Sequence, residues 1–333
     1  MDFSTFDEDA QAQGMSSGFK EGLASFYYKG KWGFIDKKGD VVIPPAFDLV
    51  TFFSEDRCAI CAQEGRFSSW GIIDKAGEVI TNPSFSDIGH FRDGHCPVGM
   101  RGPMSYKGLA PVESFGFCGK NGEIKIDFIF QNAGVFSNGL AVVKGRNRYG
   151  FINVEGQQRI DFKYEGAYDF AEEFAAVKLN GKWGFIDQYD RMAVEPQFEQ
   201  VTNFSLGRAG FKSSDKWGLI DNTGKQIVSE KYLSFYGFTP QGALVETENG
   251  FTYIDDQGNL LFDKRYEDAL SFSEGLAAVK IDDLWGYIDN KGQIILKPEY
   301  RSAEMFSEGY ASVETDKGYE FIDPNGVILK VNI

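Results

Sequence analysis

The chain has 333 residues, 42% of them hydrophobic, and includes 31 Phe and 39 Gly, so it is too apolar for a disordered protein and rich in tight turns. Its formal net charge of -15 at pH 7 opposes general binding to nucleic acid or to anionic membrane surfaces, and no local basic patch offsets it. No stretch approaches the roughly 18 consecutive apolar residues of a membrane span.

The N-terminal stretch MDFSTFDEDAQAQG is acidic and has neither a basic start nor an apolar core segment. We expect residues 1–18 to form a flexible acidic tail. We also expect the chain, as given, to be cytoplasmic rather than secreted or inserted in a membrane. Residues 19–333 are expected to form a single β-repeat array.

A phenylalanine recurs from residue 19 onward at spacings of 34, 38 and 45 residues and then five times 34. A period of this length is typical of tandem arrays. The nine copies begin near Phe19, Phe53, Phe91, Phe136, Phe170, Phe204, Phe238, Phe272 and Phe306.

Each copy then alternates in hydrophobicity. Five residues after the Phe comes a small apolar residue such as Ala24, and two residues later an aromatic or β-branched residue such as Phe26. Alternation by two predicts a first strand with one face turned inward.

A second strand is predicted at the sequence GKWGFID, which occurs at residues 30–36 and again at 181–187. An aromatic residue and an isoleucine three positions later lie on opposite faces of an extended strand, so we expect this strand to be buried on both faces. The predicted repeat core includes Trp32, Trp70, Trp183, Trp217 and Trp285, with Ile35, Ile186 and Ile288.

A tight turn and a third strand complete the copy. The pattern Asp-x-x-Gly, as at Asp36–Gly39, favours a hairpin turn. Calcium binding is the alternative, but one Asp per turn supplies too few oxygen ligands. The third strand, at Val41–Ile43 in copy one, is followed by Pro45 and an aromatic residue that ends the pairing.

The predicted fold class is therefore all-β: a tandem array of about nine three-stranded β-meanders of ~34 residues, because a lone meander cannot bury so many aromatic side chains. The array begins with a full copy at Phe19, and its last copy lacks the proline and aromatic that follow the third strand elsewhere. This asymmetry favours an open solenoid or superhelix, and a closed propeller-like ring is the alternative.

Two segments, GKWGFID and FSEGLAAV at residues 272–279, resemble the WG (KWG) β-repeat family over about nineteen-twentieths of the chain. Copies seven and nine depart from the pattern, with Thr252 and Glu320 in place of its glycine. The resemblance implies a mainly bacterial set of β-repeat proteins, of variable repeat number and mostly without an assigned activity.

No catalytic signature is present. Cys58 and Cys61 have a metal-like or redox-like spacing, but three positions along a strand place them on opposite faces, and Cys96 and Cys118 fill apolar repeat positions. The two histidines, His90 and His95, lack further candidate zinc ligands. No nucleophile elbow, phosphate-binding loop or dinucleotide fingerprint is found. We therefore predict no catalytic residues, no metal and no cofactor.

Copies two and three break the 34-residue rhythm with insertions in the same hairpin, between the first and second strands. Insertions in adjacent copies should protrude side by side, and repeat proteins often bind partners there. The residues predicted to contact a partner are Arg66, Phe67, Arg101, Met104, Tyr106 and Lys107. The alternative is that these segments are tolerated surface loops.

Two functions of different class follow. The first is a non-catalytic scaffold that binds an unidentified protein or peptide, and neither nucleic acid nor membrane. The second is an enzyme or glycan-processing module whose carboxylates meet in a groove between copies. A purely structural spacer is a third, weaker interpretation.

Overall fold

The computed structural model describes residues 18–64, 67–102 and 113–332, and within these ranges the chain contains β-strands and no helix. The strands form nine small antiparallel sheets, six of four strands and three of three. Neighbouring strands in every sheet are also consecutive in the sequence, so each sheet is a simple meander. The expected flexible tail, apart from its last residue Gly18, lies outside the described residues.

The strands of copies one to three are β1 (Leu23–Tyr28), β2 (Lys31–Asp36), β3 (Val41–Phe47), β4 (Leu49–Val50), β5 (Arg57–Glu64), β6 (Phe67–Asp74), β7 (Val79–Phe85), β8 (Asp87–Ile88), β9 (His95–Arg101), β10 (Glu113–Gly119) and β11 (Ile124–Phe130). Those of copies four to six are β12 (Asn132–Ser137), β13 (Leu140–Gly145), β14 (Arg148–Asn153), β15 (Gln158–Tyr164), β16 (Gly166–Ala167), β17 (Phe174–Leu179), β18 (Lys182–Asp187), β19 (Met192–Phe198), β20 (Gln200–Val201), β21 (Arg208–Ser213), β22 (Lys216–Asp221) and β23 (Gln226–Tyr232). Those of copies seven to nine are β24 (Ser234–Thr239), β25 (Gly242–Thr247), β26 (Gly250–Ile254), β27 (Asp268–Ala269), β28 (Leu276–Ile281), β29 (Leu284–Asp289), β30 (Ile294–Tyr300), β31 (Ser302–Ala303), β32 (Ala311–Thr315) and β33 (Gly318–Ile322).

A full sheet has four strands, which we call a to d in chain order. Strands b, c and d are the three predicted from the sequence. Strand a precedes b, is only two residues long in most copies, and was not predicted from the sequence. The prediction of three strands per copy was thus one strand short in six copies.

Strands b and c carry the core. The small residue of strand b faces the isoleucine of strand c, as in the pair Ala24 and Ile35, and both side chains are buried. Ile186 and Ile288 are equally buried. Among the five predicted tryptophans only Trp32 is fully buried, and Trp70, Trp183, Trp217 and Trp285 are half-buried.

The glycine of the Trp-Gly pair has a steric role. Strand d crosses strand c at a register shift, and a Cβ added to Gly33 would lie 2.5 Å from the carbonyl oxygen of Ile43. Copies seven and nine, which carry Thr252 and Glu320 at this position, are those in which strand d is reduced to isolated bridges. A side chain at this position and a regular strand d are therefore mutually exclusive.

The array closes on itself. In copies eight and nine, Ser273 Oγ donates to the carbonyl of Phe306 at 2.6 Å, and from copy nine to copy one Ser307 Oγ donates to the carbonyl of Phe19 at 2.7 Å. Asn332 N also donates to Gly39 O at 2.8 Å. A shared apolar cluster covers this junction and comprises Phe19, Ala24, Phe26, Ile35, Phe321, Leu329 and Val331.

The nine sheets are thus the blades of a closed nine-bladed β-propeller. The preference for an open solenoid was wrong, and the ring alternative is confirmed. The expectation of an open array assumed that a ring must close within a blade shared by the first and last segments. This ring instead closes by packing copy nine against copy one, through the same serine-to-carbonyl contact that joins copies eight and nine.

Candidate functional site

The hairpin that joins strands b and c ends in a tip, and the tips form one face of the propeller, which we call the tip face. In most copies strands b and c are five or six residues long, but in copy two β5 and β6 have eight residues each, and in copy three β9 and β10 have seven. The longest tips thus belong to the two copies in which the sequence shows insertions.

The predicted contact residues are only partly described. Arg101 lies at the end of β9, and its Nη2 donates to the backbone carbonyl of Ser68, in the long hairpin of the neighbouring copy, at 3.5 Å. Phe67 begins β6, and its side chain is not described. Arg66, Met104, Tyr106 and Lys107 lie outside the described residues.

A cleft of about 660 Å³ opens beside these hairpins, between copies three and four, and was missed by the sequence analysis. Its walls include the rings of Phe130 and Phe162. Its charged groups are Arg146, Asp161 and Lys163, and Lys163 is paired with Asp190. Ile129 at its edge is 68% exposed. The residue in the sequence that could have indicated this cleft is Gly145, the only glycine at the last position of a strand b. A larger residue would be crowded there, because a Cβ at this position would lie 3.0 Å from the Phe162 ring.

The opposite end of each copy carries the turn between strands a and b and the Asp-x-x-Gly turn between strands c and d. The register that pairs Leu23 with Asp36 places both turns at this end, which we call the turn face. The a–b turn has a two-residue loop with positive φ angles, 52° at Glu21 and 85° at Gly22, which explains the Glu-Gly of the repeat.

Carboxylates at the first loop position join successive copies. The oxygens of Glu21 accept from Glu55 N and Asp56 N at 2.6 and 2.9 Å, and those of Glu274 accept from Glu308 N and Gly309 N at 2.6 and 2.8 Å. Glu308 in turn accepts from Glu21 N and Gly22 N at 2.6 and 2.9 Å. These three carboxylates are therefore engaged in joining blades.

This pattern breaks between copies four and five. Asn138 replaces the acid, and its Nδ2 donates to the carbonyl of Glu172 instead. A cleft of about 630 Å³ lies at this junction, with Leu140, Phe170 and Phe174 as apolar walls and with Glu172, Glu173, Asp187 and Arg191 as charged groups. Tyr189 at its rim is 70% exposed, and the Arg191 guanidinium lies 5.1 Å from the centre of the Tyr189 ring.

The carboxyl group of Asp187 in this cleft is held in its charged form. Burial acts to raise the pKa of Asp187, but hydrogen bonds from the Arg191 side chain and from the backbone of Arg191 and Tyr189 outweigh it, so this pKa is lowered. Arg191 Nη2 lies 2.6 Å from Asp187 Oδ2. Asp187 is therefore a charged carboxylate rather than a protonated acid.

All four cysteines are buried free thiols. Burial raises the pKa of Cys58 to about 12, which opposes formation of a reactive thiolate. His90 is half-buried with a pKa lowered by burial, and the His95 ring packs 4.9 Å from Phe136. In the described ranges no three His, Cys, Asp or Glu side chains are grouped as metal ligands.

The family model of the WG containing repeat matches seven stretches of the chain: residues 32–66, 70–102, 115–147, 149–183, 183–217, 251–285 and 285–319. The chain belongs to the WG containing repeat family. The structure adds two copies to these seven, since nine sheets are present. Two of the unmatched stretches, 218–250 and 320–333, adjoin or contain the departures at Thr252 and Glu320.

Among solved structures, this WG-repeat propeller is similar to the tricorn protease, at 10% identity and a TM-score of 0.27, over 94% of this chain and 44% of that one. It is also similar to the AfRom2 CNH domain, at 8% identity and a TM-score of 0.33, over 83% of this chain and 97% of that one. This chain thus spans less than half of the tricorn protease chain. Such TM-scores add nothing to the architecture described above.

A comparison with curated proteins found no match. The described part of the chain has no helix that is long and apolar enough to cross a membrane.

Proposed function

We propose that this WG-repeat propeller is a non-catalytic, cytoplasmic scaffold that binds a protein or peptide on its tip face, at the long hairpins of copies two and three and the cleft between copies three and four. The observation that carries the proposal is the cleft in which Arg146 lies with the exposed Ile129, on a chain of net charge -15. Arginine beside exposed apolar surface is typical of protein contacts.

The charge pattern also indicates the kind of partner. Arg146 on an acidic molecule favours an acidic segment, because the rest of the surface repels that segment while this arginine attracts it. The cleft walls Phe130 and Phe162, whose ring centres lie 6.4 Å apart, suit an apolar side chain of the same segment. We therefore expect a partner peptide that combines acidic and bulky apolar residues.

The test is a pull-down with the purified propeller as bait, comparing the wild-type protein with Arg146→Glu and with a deletion of residues 102–112. Partners that bind the tip face should be lost from both variants. Lys216→Glu, at the tip of copy six, is the matched control, since it makes the same charge change on the same face. Recovery of every partner by all variants would contradict the tip-face proposal.

A second candidate function is supported by the turn-face cleft, where Glu172, Glu173 and Asp187 meet in a space of about 630 Å³. Glycoside hydrolysis uses two carboxyl groups, one with a raised pKa as the general acid. The lowered pKa of Asp187 disfavours that role for this carboxyl. A panel of chromogenic glycosides tests the enzyme hypothesis: turnover by the wild-type protein that is lost in Asp187→Asn and Glu173→Gln would replace the scaffold proposal.

A further inference from the structure

The turn-face cleft between copies four and five carries an acidic side chain that has lost its basic partner. The second loop position of the a–b turn is glycine in most copies and acidic in two, at Asp56 in copy two and Glu173 in copy five. These two equivalent acids have different surroundings.

In copy two the acid is neutralised by the chain itself. Lys75 Nζ lies 2.9 Å from Asp56 Oδ1 and 3.2 Å from Glu21 Oε2, so one ammonium group lies between two carboxylates. Lys120 of the next copy adds a longer contact to Asp56 at 3.7 Å. These contacts lower the pKa of Asp56.

In copy five each basic partner is absent. The position of Lys75 is occupied by Gln188, and that of Lys120 by Asn222. Among the described residues the Glu173 carboxylate has neither a hydrogen bond nor an ion pair, whereas Glu172 accepts from Gly207 N at 3.1 and 3.3 Å. Arg191 is the nearby cation, and it is paired with Asp187.

The absence of these basic side chains leaves open volume at the junction as well as unbalanced negative charge. Arg57, which follows Asp56 in copy two, is replaced by Phe174, and the cleft of about 630 Å³ has Leu140, Phe170 and Phe174 in its walls. An aliphatic chain that ends in a cation fits such a site, because its methylenes pack on apolar walls while its charge meets the carboxylate. With three carboxylates and one guanidinium, the cleft has a net charge of about -2.

We propose that this cleft binds a lysine or arginine side chain of a partner protein, which takes the place that Lys75 occupies in copy two. The exposed Tyr189 at the rim is suited to contact the partner's backbone or a neighbouring side chain. The site lies on the opposite face from the tip-face site and does not depend on it, so either proposal can fail alone.

The experiment uses the full chain, labelled with 15N, and capped single residues as probes: N-acetyl-lysine methylamide, N-acetyl-arginine methylamide, and N-acetyl-norleucine methylamide as the uncharged control. We expect saturable chemical shift changes at the amides of Glu173 and Gln188 with at least one of the two basic probes and not with norleucine. Equal shifts with all three probes, or none with the basic ones, would overturn the proposal.

Two substitutions sharpen the test. Glu173→Gln should weaken binding at least tenfold, whereas Glu195→Gln, the same charge change on strand d of the same copy, should leave affinity within twofold. Gln188→Lys should abolish binding, because it restores the internal lysine of copy two. Unchanged affinity in Glu173→Gln, or an equal loss in Glu195→Gln, would reject the role of Glu173.

Free polyamines carry the same ammonium chemistry, so spermidine is a further probe. If the ligand is a protein side chain, the capped residue that binds more tightly, lysine or arginine, should bind no more than tenfold more weakly than spermidine. A larger advantage for spermidine would assign the cleft to a free amine and overturn the proposed protein ligand.

Discussion

Ring closure depends on Glu308, and removing its charge tests both the closure and its energy. Glu308 accepts two backbone N–H groups of copy one, at 2.6 and 2.9 Å, and lies 3.0 Å from Lys37 Nζ. A hydrogen bond to a charged group contributes about 1.5–3 kcal/mol when shielded from water. The side chain is 31% exposed and glutamine keeps one acceptor oxygen, so we expect Glu308→Gln to lower the free energy of unfolding by about 1 kcal/mol.

The assay is guanidinium denaturation of Glu308→Gln and Glu274→Gln side by side. Glu274 makes the same two contacts between copies eight and nine, at 2.6 and 2.8 Å, so it measures the interaction at a junction within the chain. In a closed ring the two variants lose similar stability. Exchange of the Gly22 amide with deuterium should also accelerate in Glu308→Gln.

The pH dependence of this effect has a definite sign. Burial acts to raise the pKa of Glu308, but Lys37 and the N–H groups of Gly22 and Glu21 lower it below the usual value. The contribution of Glu308 to stability is therefore complete above the unfolded-state pKa of about 4.3 and disappears as the pH falls through the lower folded-state pKa.

The closed ring would be refuted if, at neutral pH, Glu308→Gln kept the stability of the wild type while Glu274→Gln was destabilised.

Two further predictions concern the blades. Gly286→Ala would place a Cβ 2.6 Å from Leu296 O and 2.7 Å from Pro298 N, so we expect the free energy of unfolding to fall by about 2–3 kcal/mol. The control is Thr252→Ala at the same repeat position, which should lose only about 1 kcal/mol because it removes the hydrogen bond to Lys264 O. Equal losses for the two variants in denaturation experiments would contradict the steric role of the glycine. Burial raises the pKa of Asp169 to about 6, above an unfolded value of about 3.9, so its ionisation costs stability as the pH rises through this interval. Asp169→Asn should therefore be about 1–2 kcal/mol more stable than the wild type at pH 7.5 and show no such advantage at pH 4. If the melting curves of the two proteins differed equally at both pH values, ionisation of Asp169 would be excluded as the cause.

The candidate sites were predictable to different degrees. The insertions directed attention to the hairpins of copies two and three, and Arg101 does contact Ser68 across that boundary. The turn-face cleft was missed, because its signal is a set of substitutions at Asn138, Glu173 and Gln188, which are 15 to 50 residues apart. None of these substitutions points to a site by itself. They can be related to one another only once the structure shows that the equivalent residues Glu21, Asp56 and Lys75, at the junction of copies one and two, form one ion-pair network.

The repeat pattern by itself determined the blade. The alternation around Ala24, the buried Ile35 and the glycine beneath strand d are local requirements of one meander and its neighbour, and a period of 34 residues shows them directly. Closure was decided only in three dimensions. Whether nine blades form an open spiral or a ring depends on a small rotation between neighbours added over the whole array, and no short segment encodes that sum. The contact that completes the ring joins Ser307 to Phe19, 288 residues apart, with the same geometry as contacts between adjacent copies.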